Sequence, residues 1–557
     1  MTINIRKRGQ DVFDDQKVCR QESPEKQNKK LRNDKSMKGG EAASILMKFW
    51  SSKPDDSDFH HLVTYAIHAI KQFRQGLVNP STTDEYKRNI LESGLLAPIF
   101  FLIDLPRFFG RKISTRTIHL LQFEAAWTIT NLSSGDGAAA VMEYQDSLDI
   151  LGRVIGDGST PPALREQAIW CVANVAGYDS GRQRPYCTRI LGHQQIVQGL
   201  LESTLHPPNP EFLKTSLWAI GNVIQGRSSP ESKLLLEVIL QTIKVALKDD
   251  QLIDKLRDEI ISNSYSALRK AMLEHSEIAE YVGNIEGFVS QTMKVLQEAR
   301  IGMSTEGVHD KAAQREKAYL VHQVVRCVGL LLTFGSDEIH QTLIDEGFLA
   351  EANHLLNQPY KEISQETCSA LASFVRRGDP GHILAFRAKG CLASLVDVAS
   401  NSPWKVKKEA LMALLGFLIW ADQKGHRHFF STSVGAQVLC DSLKIAMETD
   451  VGLCRIALDA VETILKTDRD YDGELSICDK LHEYRGLETI ECLQTHHMKD
   501  VREKAINIID NFFILDENET EEPEAETQDT RRCFKLSSRV SPTDRSRLSE
   551  NRSALFS

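Results

Sequence analysis

The residues best suited to chemistry in this chain are a tryptophan and an asparagine four apart. The pattern W-x-x-x-N occurs three times: Trp127 with Asn131, Trp170 with Asn174, and Trp218 with Asn222. On a helix, positions i and i+4 share a face, so each pair sets an indole beside an amide. The pairs recur at nearly even intervals, each in a segment ending in glycine. An amide can bond a peptide main chain through both its oxygen and its nitrogen. An indole face attracts an ammonium or guanidinium group by about 0.5–2 kcal/mol. Neighbouring helices pack about 8–10 Å apart and an extended chain advances about 3.3 Å per residue. Successive rungs would therefore meet an extended peptide every two or three residues. The indoles would sandwich Lys or Arg stems, the amides would hold the main chain, and nearby acids would receive the charged heads. The competing reading is structural, since tryptophan at helical spacing commonly packs a core. A core indole requires no amide at i+4, however, and a buried amide must itself be satisfied.

The elements that would carry such a ladder are helices. From about Phe59 to Phe513 the chain runs as apolar-periodic segments of helical length, such as Val63, Ile67 and Ile70, or Val501, Ala505, Ile508 and Phe512. Breaks carry Gly, Pro, Asn or Asp, as in HPPNP at 206–210 and RGDPG at 377–381. No sustained alternation calls for a sheet. The ladder's phase continues more weakly at Tyr265, Arg326, Ser369 and Met412. A period of about 42 residues with three helices per unit is the armadillo pattern. The expected fold is all-α: a right-handed superhelical armadillo solenoid between disordered termini. The interval from Tyr265 to Arg326 is longer than the others and is assigned to an insertion at the polar stretch 304–317.

Composition narrows the class. The 557 residues carry a net charge of −9, unevenly spread: residues 1–40 hold +5, 516–526 hold −7, 527–557 hold +4, and 41–515 hold −11. A mildly acidic body argues against general nucleic-acid binding and permits basic partners. No apolar run reaches the length of a membrane span; the best, Leu95 to Ile103, contains Pro98 and is closed by Asp104. The start has basic residues but no apolar stretch behind them, so no secretory signal is expected. The 11 cysteines are scattered and never form C-x-x-C, which reads as reduced thiols rather than a disulfide framework or a zinc site.

Three segments, EAAWTITNLSSG (124–135), EQAIWCVANVAG (166–177) and SLWAIGNVIQG (216–226), resemble consecutive armadillo repeats of the importin-α family. ESGLLAPIFFLI (92–103) is similar to that family's first repeat, and GLETIECLQTHHMKDVREKAINIIDNFF (486–513) to its last. The resemblance implies an adaptor for basic nuclear localisation signals, shuttling between cytoplasm and nucleus. It places Trp127, Asn131, Trp170, Asn174, Trp218 and Asn222 in a major signal-binding groove, with Gln167 as a supporting polar residue. The family's lysine-anchoring Asp falls on Tyr178 here, which leaves Asp179 as its candidate replacement, and a groove Thr falls on Ala140. The second, minor groove is reduced to Arg326 and Glu409. Its other rungs fall on Ser369, Ser373, Met412 and Gly416, and Leu330 stands in place of an Asn, so one working groove is expected.

The resemblance also divides the chain. Residues 1–58 form a basic arm resembling an importin-β-binding segment, 59–515 about ten armadillo repeats, and 516–557 an acidic and then Ser/Arg-rich disordered tail. In the arm, RKR (6–8) and KKLRN (29–33) remain, while the expected arginine run is reduced to DDQKVCR (14–20) and Pro24 interrupts it. The implied partners are cargo bearing basic signals, importin-β, and an export receptor near the acidic tail, with no direct nucleic acid and no membrane. No cofactor or metal is expected. The nucleotide-binding, zinc-protease and serine-hydrolase motifs are absent from the sequence, so an enzyme is not expected. The histidines at 60–61, 426/428 and 496–497 are read as surface residues. The alternative reading is an armadillo scaffold without import-receptor activity.

Overall fold

The computed structural model describes residues 39–53, 59–77, 83–105, 113–179, 184–226, 228–248, 254–304, 311–430, 433–468 and 477–513. The basic clusters of the arm and all of the 516–557 tail lie outside the described residues. Every regular element among the described residues is a helix, and the chain divides into two compact units between Glu346 and Gly347.

The first unit contains α1 (Gly39–Ser51), α2 (Phe59–Gly76), α3 (Thr83–Glu92), α4 (Leu96–Ile103), α5 (Thr115–Leu132), α6 (Gly137–Glu143), α7 (Ser147–Gly156), α8 (Pro162–Tyr178), α9 (Pro185–Leu191), α10 (Gln194–Leu205), α11 (Pro210–Val223), α12 (Pro230–Lys248), α13 (Asp254–Glu274), α14 (Ser276–Gly283), α15 (Phe288–Ser304), α16 (Lys311–Phe334) and α17 (Asp337–Asp345). From α3 onward two short helices usually precede a long one, the armadillo arrangement, and the long helices pack in series: α2, α5, α8, α11, α13 and α16. Helix α1 falls inside the segment expected as a loose arm. It packs on α2 through buried Ala42, Leu46 and Phe49, with Phe49 and Phe59 stacked at 5.9 Å. The folded body therefore begins before residue 59. The stretch expected as an insertion is in part regular: residues 311–317 form the first two turns of α16.

Helix α16 is also the one described helix long and apolar enough to cross a membrane by length and composition. Of its most apolar window 61% is buried inside the protein, so it is a core helix, packed between α13 and α15. The shorter apolar run at 95–103 supplies the buried α4.

The second unit contains α18 (Phe348–Leu356), α19 (Lys361–Arg376), α20 (Pro380–Ala388), α21 (Cys391–Asn401), α22 (Trp404–Trp420), α23 (Gln423–Phe430), α24 (Ser433–Thr449), α25 (Val451–Asp468), α26 (Ile477–Glu483), α27 (Gly486–Leu493) and α28 (Lys499–Phe512). Its long helices α19, α22, α25 and α28 again pack in series. Helices α19 and α22 come close at Gly416, where an added Cβ would lie 2.8 Å from Val375 Cγ2. The turn before α21 needs Gly390 at φ +79°, a conformation that costs a side-chain-bearing residue about 1–2 kcal/mol.

Buried histidines fasten the short first helix of a repeat to the end of the preceding long one. Within the first unit His340 Nε2 donates to the Leu332 carbonyl at 2.7 Å, and within the second His426 Nε2 donates to the Leu418 carbonyl at 2.8 Å. The surface assignment of His426 is therefore corrected: it is buried, as is His496, because each imidazole satisfies a polar group of its neighbourhood. His60 and His61 are exposed.

Candidate peptide-binding ladder

Three long helices of the first unit, α5, α8 and α11, carry the ladder. Each has a defined start. Ser114 Oγ accepts the Thr117 N–H at 3.2 Å before α5, Pro162 occupies the first turn of α8, and Asn209 Oδ1 accepts the Phe212 N–H at 2.9 Å with Pro210 following. Proline at the first helical position suits a site where the N–H has no intrahelical partner. The helices are buried on most of their circumference. In α8, Leu164, Ala168, Ile169, Cys171, Val172, Ala173, Val175 and Ala176 are buried, which leaves Trp170 and Asn174 half-buried on the remaining stripe. Trp127 with Asn131 on α5 and Trp218 on α11 are half-buried likewise.

The amides bond across the stack in one repeating pattern. Asn174 Nδ2 donates to the Thr130 carbonyl at 3.0 Å and lies 3.2 Å from Ser133 Oγ. Asn222 Nδ2 donates to the Ala173 carbonyl at 2.9 Å. Each asparagine thus grips the carbonyl of the residue just before the preceding ladder asparagine. Asn222 is only 4% exposed, and its Oδ1 accepts the Lys270 ammonium at 2.8 Å. At the first rungs the polar atoms are less engaged: Asn131 Nδ2 and Gln167 Oε1 are buried without a partner. Gln167 is tied to α5 through its carbonyl, which accepts Thr130 Oγ1 at 2.8 Å.

The indoles have neighbours of their own. The Arg74 guanidinium lies 4.1 Å from the centre of the Trp127 ring, while its Nε bonds Glu124 Oε2 at 2.6 Å. Trp170 and Trp218 meet edge to face, with centroids 6.2 Å apart and ring planes at 83°. A methylene stem between two parallel ring faces needs about 7–8 Å, twice a carbon–carbon contact of about 3.5–4 Å. The expected sandwich between Trp170 and Trp218 is thus closed in this arrangement, and their outer faces are what remain.

The acids along the ladder are also partnered. Glu124 is buried against Arg74. Glu166 accepts Thr215 Oγ1 at 2.9 Å, and burial raises its carboxyl pKa. Asp136 is exposed, and Tyr178, 39% exposed, donates its hydroxyl to Asp136 Oδ1 at 3.2 Å. Asp179, the expected substitute for the lysine anchor, is placed elsewhere. It is 4% exposed, its Oδ2 accepts the Cys187 N–H at 2.9 Å in the first turn of α9, and its carbonyl accepts Arg184 Nη1 at 2.6 Å. The carboxylate caps a helix, where the orphan N–H groups and the dipole favour an anion.

Past the third rung the phase slips. Tyr265, expected to continue the indole row, is fully buried, with its hydroxyl 3.0 Å from Thr292 Oγ1. Lys270 on α13 occupies the face next to Asn222 instead. Of the two residues expected for a minor groove, Arg326 lies half-buried on α16 of the first unit. Glu409 lies half-buried on α22 of the second, where burial raises its pKa and Ser369 donates to it. Gly416, expected at an amide rung of that groove, carries no side chain, and an added Cβ there would crowd Val375. No group of His, Cys, Asp and Glu suited to a metal ion exists among the described residues. Arg74, Glu124 and Lys270 were missed in the sequence because their partners sit a full repeat away along the chain, where no local pattern marks them.

Helix triplets, long helices in series and inter-repeat amide bonds define an armadillo-repeat protein. Residues 476–528 match the atypical Arm repeat family. A crystal structure of an engineered protein from a structural-genomics consortium has the same fold, with a TM-score of 0.58 at 18% identity over 85% of this chain and 99% of that one. The relatives narrow the class. Importin subunit alpha-1b of Oryza sativa subsp. japonica is 25% identical over 72% of this chain and 69% of its own length. Importin subunit alpha-1a of the same plant is 25% identical over 82% and 78%, and importin subunit alpha-5 of Arabidopsis thaliana 24% over 72% and 70%. The chain is a divergent relative of the importin α subunits.

Proposed function

We propose that the chain is a nuclear import adaptor: it binds basic nuclear localisation signals of cargo along α5, α8 and α11 and links them to importin-β, shuttling between cytoplasm and nucleus. The observation that carries this reading is the in-phase indole and amide stripe on consecutive long helices of a fold whose relatives are importin α subunits. In this reading the amide oxygens of Asn131 and Asn174 meet the peptide main chain with Gln167 in support, Trp170 and Trp218 offer ring faces, and Asp136 with Tyr178 receives an ammonium group. The rungs that should accompany Arg326 and Glu409 are neither indoles nor amides, so two-cluster signals bind little better than one. The basic arm is the segment that engages importin-β, and the acidic tail is the segment assigned to an export receptor.

A specific observation favours the scaffold alternative: Glu124, Glu166 and Asp179 all have partners inside the protein. Two experiments separate the readings. Tryptophan fluorescence titration with a lysine-rich signal peptide is expected to show saturable binding that weakens about tenfold or more in Trp170→Ala/Asn174→Ala. Binding unaffected by the double change sinks the groove assignment. Pull-down by importin-β, with and without residues 1–40, tests the carrier role; no capture of the full chain leaves a peptide-binding scaffold.

A further inference from the structure

The ladder is bracketed by cations of the chain itself. At the first rung Arg74, from α2, covers the Trp127 face at 4.1 Å and is held there by Glu124, the two side chains being 12% and 7% exposed. At the third rung Lys270, from α13, donates to Asn222 Oδ1 at 2.8 Å while Asn222 Nδ2 holds Ala173, so both halves of that buried amide are engaged. These contacts have the chemistry that a basic peptide would bring: a guanidinium on an indole face and an ammonium on an amide oxygen. A ligand lysine arriving at either place would meet a like charge already seated.

We infer that Arg74 and Lys270 are built-in occupants of the outer rungs, and that they limit the groove to a short basic cluster read around Asn131, Gln167, Trp170 and Asn174. This inference rests on the peptide-groove reading above. One inter-helix step of about 8–10 Å spans about three extended residues, so a core of three basic residues uses what is open, and further lysines on either side add little. Arg74 and Lys270 then set specificity by length. Each acts on one end of the peptide, because they stand at opposite ends of the α5–α8–α11 series.

The test uses the full chain and four peptides of equal length: three central lysines flanked by serines, the same core extended with lysines on the amino side only, on the carboxyl side only, and on both. Two variants open one end each. Arg74→Gln/Glu124→Gln removes both partners of the buried pair and leaves two amides able to bond each other. Lys270→Met keeps the aliphatic stem. Melting curves verify that both fold.

In the unaltered protein the four peptides are expected to bind within about twofold of one another at a fixed salt concentration. Each variant is expected to gain about tenfold for one of the two half-extended peptides, and the two variants to gain for opposite ones; a merely structural role for these residues would not produce that crossed pattern. An unaltered protein that already prefers the fully extended peptide tenfold overturns the inference, as does a gain by either variant that is equal for both half-extended peptides. A protein that binds none of the four overturns the peptide-groove reading itself, and the two failures are thus distinct.

Discussion

Asp179→Ala separates a structural carboxylate from a recognition one. In the structure Asp179 Oδ2 takes the Cys187 N–H at 2.9 Å and the residue is 4% exposed. Removing a capping oxygen costs about 1 kcal/mol, and removing an anion from a helix N-terminus about 0.3–1 kcal/mol more. The buried N–H is then left without an acceptor, so a total of about 2 kcal/mol is expected. Asp179→Asn keeps an oxygen and loses only the charge, so it should cost about half as much. Equilibrium urea denaturation followed by circular dichroism gives both values, and a shift of about 2–4 °C in Tm should accompany the larger one in a unit of this size. The affinity for a lysine-rich peptide, measured well below Tm, is expected to stay within about twofold. If Asp179→Ala melts like the parent and binds the peptide tenfold more weakly, the cap assignment is wrong and Asp179 is the lysine anchor after all.

Three further outcomes are expected. Gly416→Ala should destabilise the chain by about 1–3 kcal/mol in denaturant titration, the range for overpacking, and Val375→Ala in the same chain should restore part of it, because the new Cβ meets only Val375. Glu166 has its pKa raised by burial, so the folded state holds a proton that the unfolded state has released, and stability falls as pH rises from the ordinary carboxylate range through the raised value. Glu166→Gln should therefore raise Tm at pH 7 and lose that advantage below about pH 4; an equal gain at both pH values refutes it. Among the nine described cysteines, all free, Cys492 is exposed while burial pushes the thiols of Cys171, Cys187 and Cys327 up to about 12. Mapping of alkylated peptides at pH 8 should find Cys492 modified in the folded protein and those three only after unfolding.

The fold was legible wherever it depended on local periodicity. Leu164, Ala168, Val172 and Val175 repeat at helical spacing, and the ladder's intervals marked the repeat, so helix type and repeat architecture follow from neighbours within one turn. The candidate site was legible only in part. Trp170 and Asn174 could be placed on one face from their spacing, but the edge-to-face contact of Trp170 with Trp218 depends on how two helices settle together. Asp179 stands one residue past the position, Tyr178, that matches the family's anchor, yet it closes the turn into α9, which no spacing rule reveals. The slip in phase at Tyr265 has the same origin: a tyrosine fits a deep core with its hydroxyl on Thr292, and the face it was expected to occupy passed to Lys270. His426 was misjudged because a lone imidazole carries no mark of the carbonyl it will cap.

The bonds from Asn174 to the Thr130 carbonyl and from Asn222 to the Ala173 carbonyl tie each long helix to the one before it. They act as graduation marks on a ruler, setting how far each long helix is advanced past the last, and the half-buried Asn174 also lies on the face a ligand would read. At that rung the spacing of the reader and the pitch of the scaffold therefore cannot drift apart: changing Asn174 disturbs both. Asn222, buried and engaged at both halves of its amide, is thus explained by the scaffold alone. Evidence for a ligand has to come from groups on this face that the scaffold neither holds nor buries, here the outer ring faces of the half-buried Trp170 and Trp218.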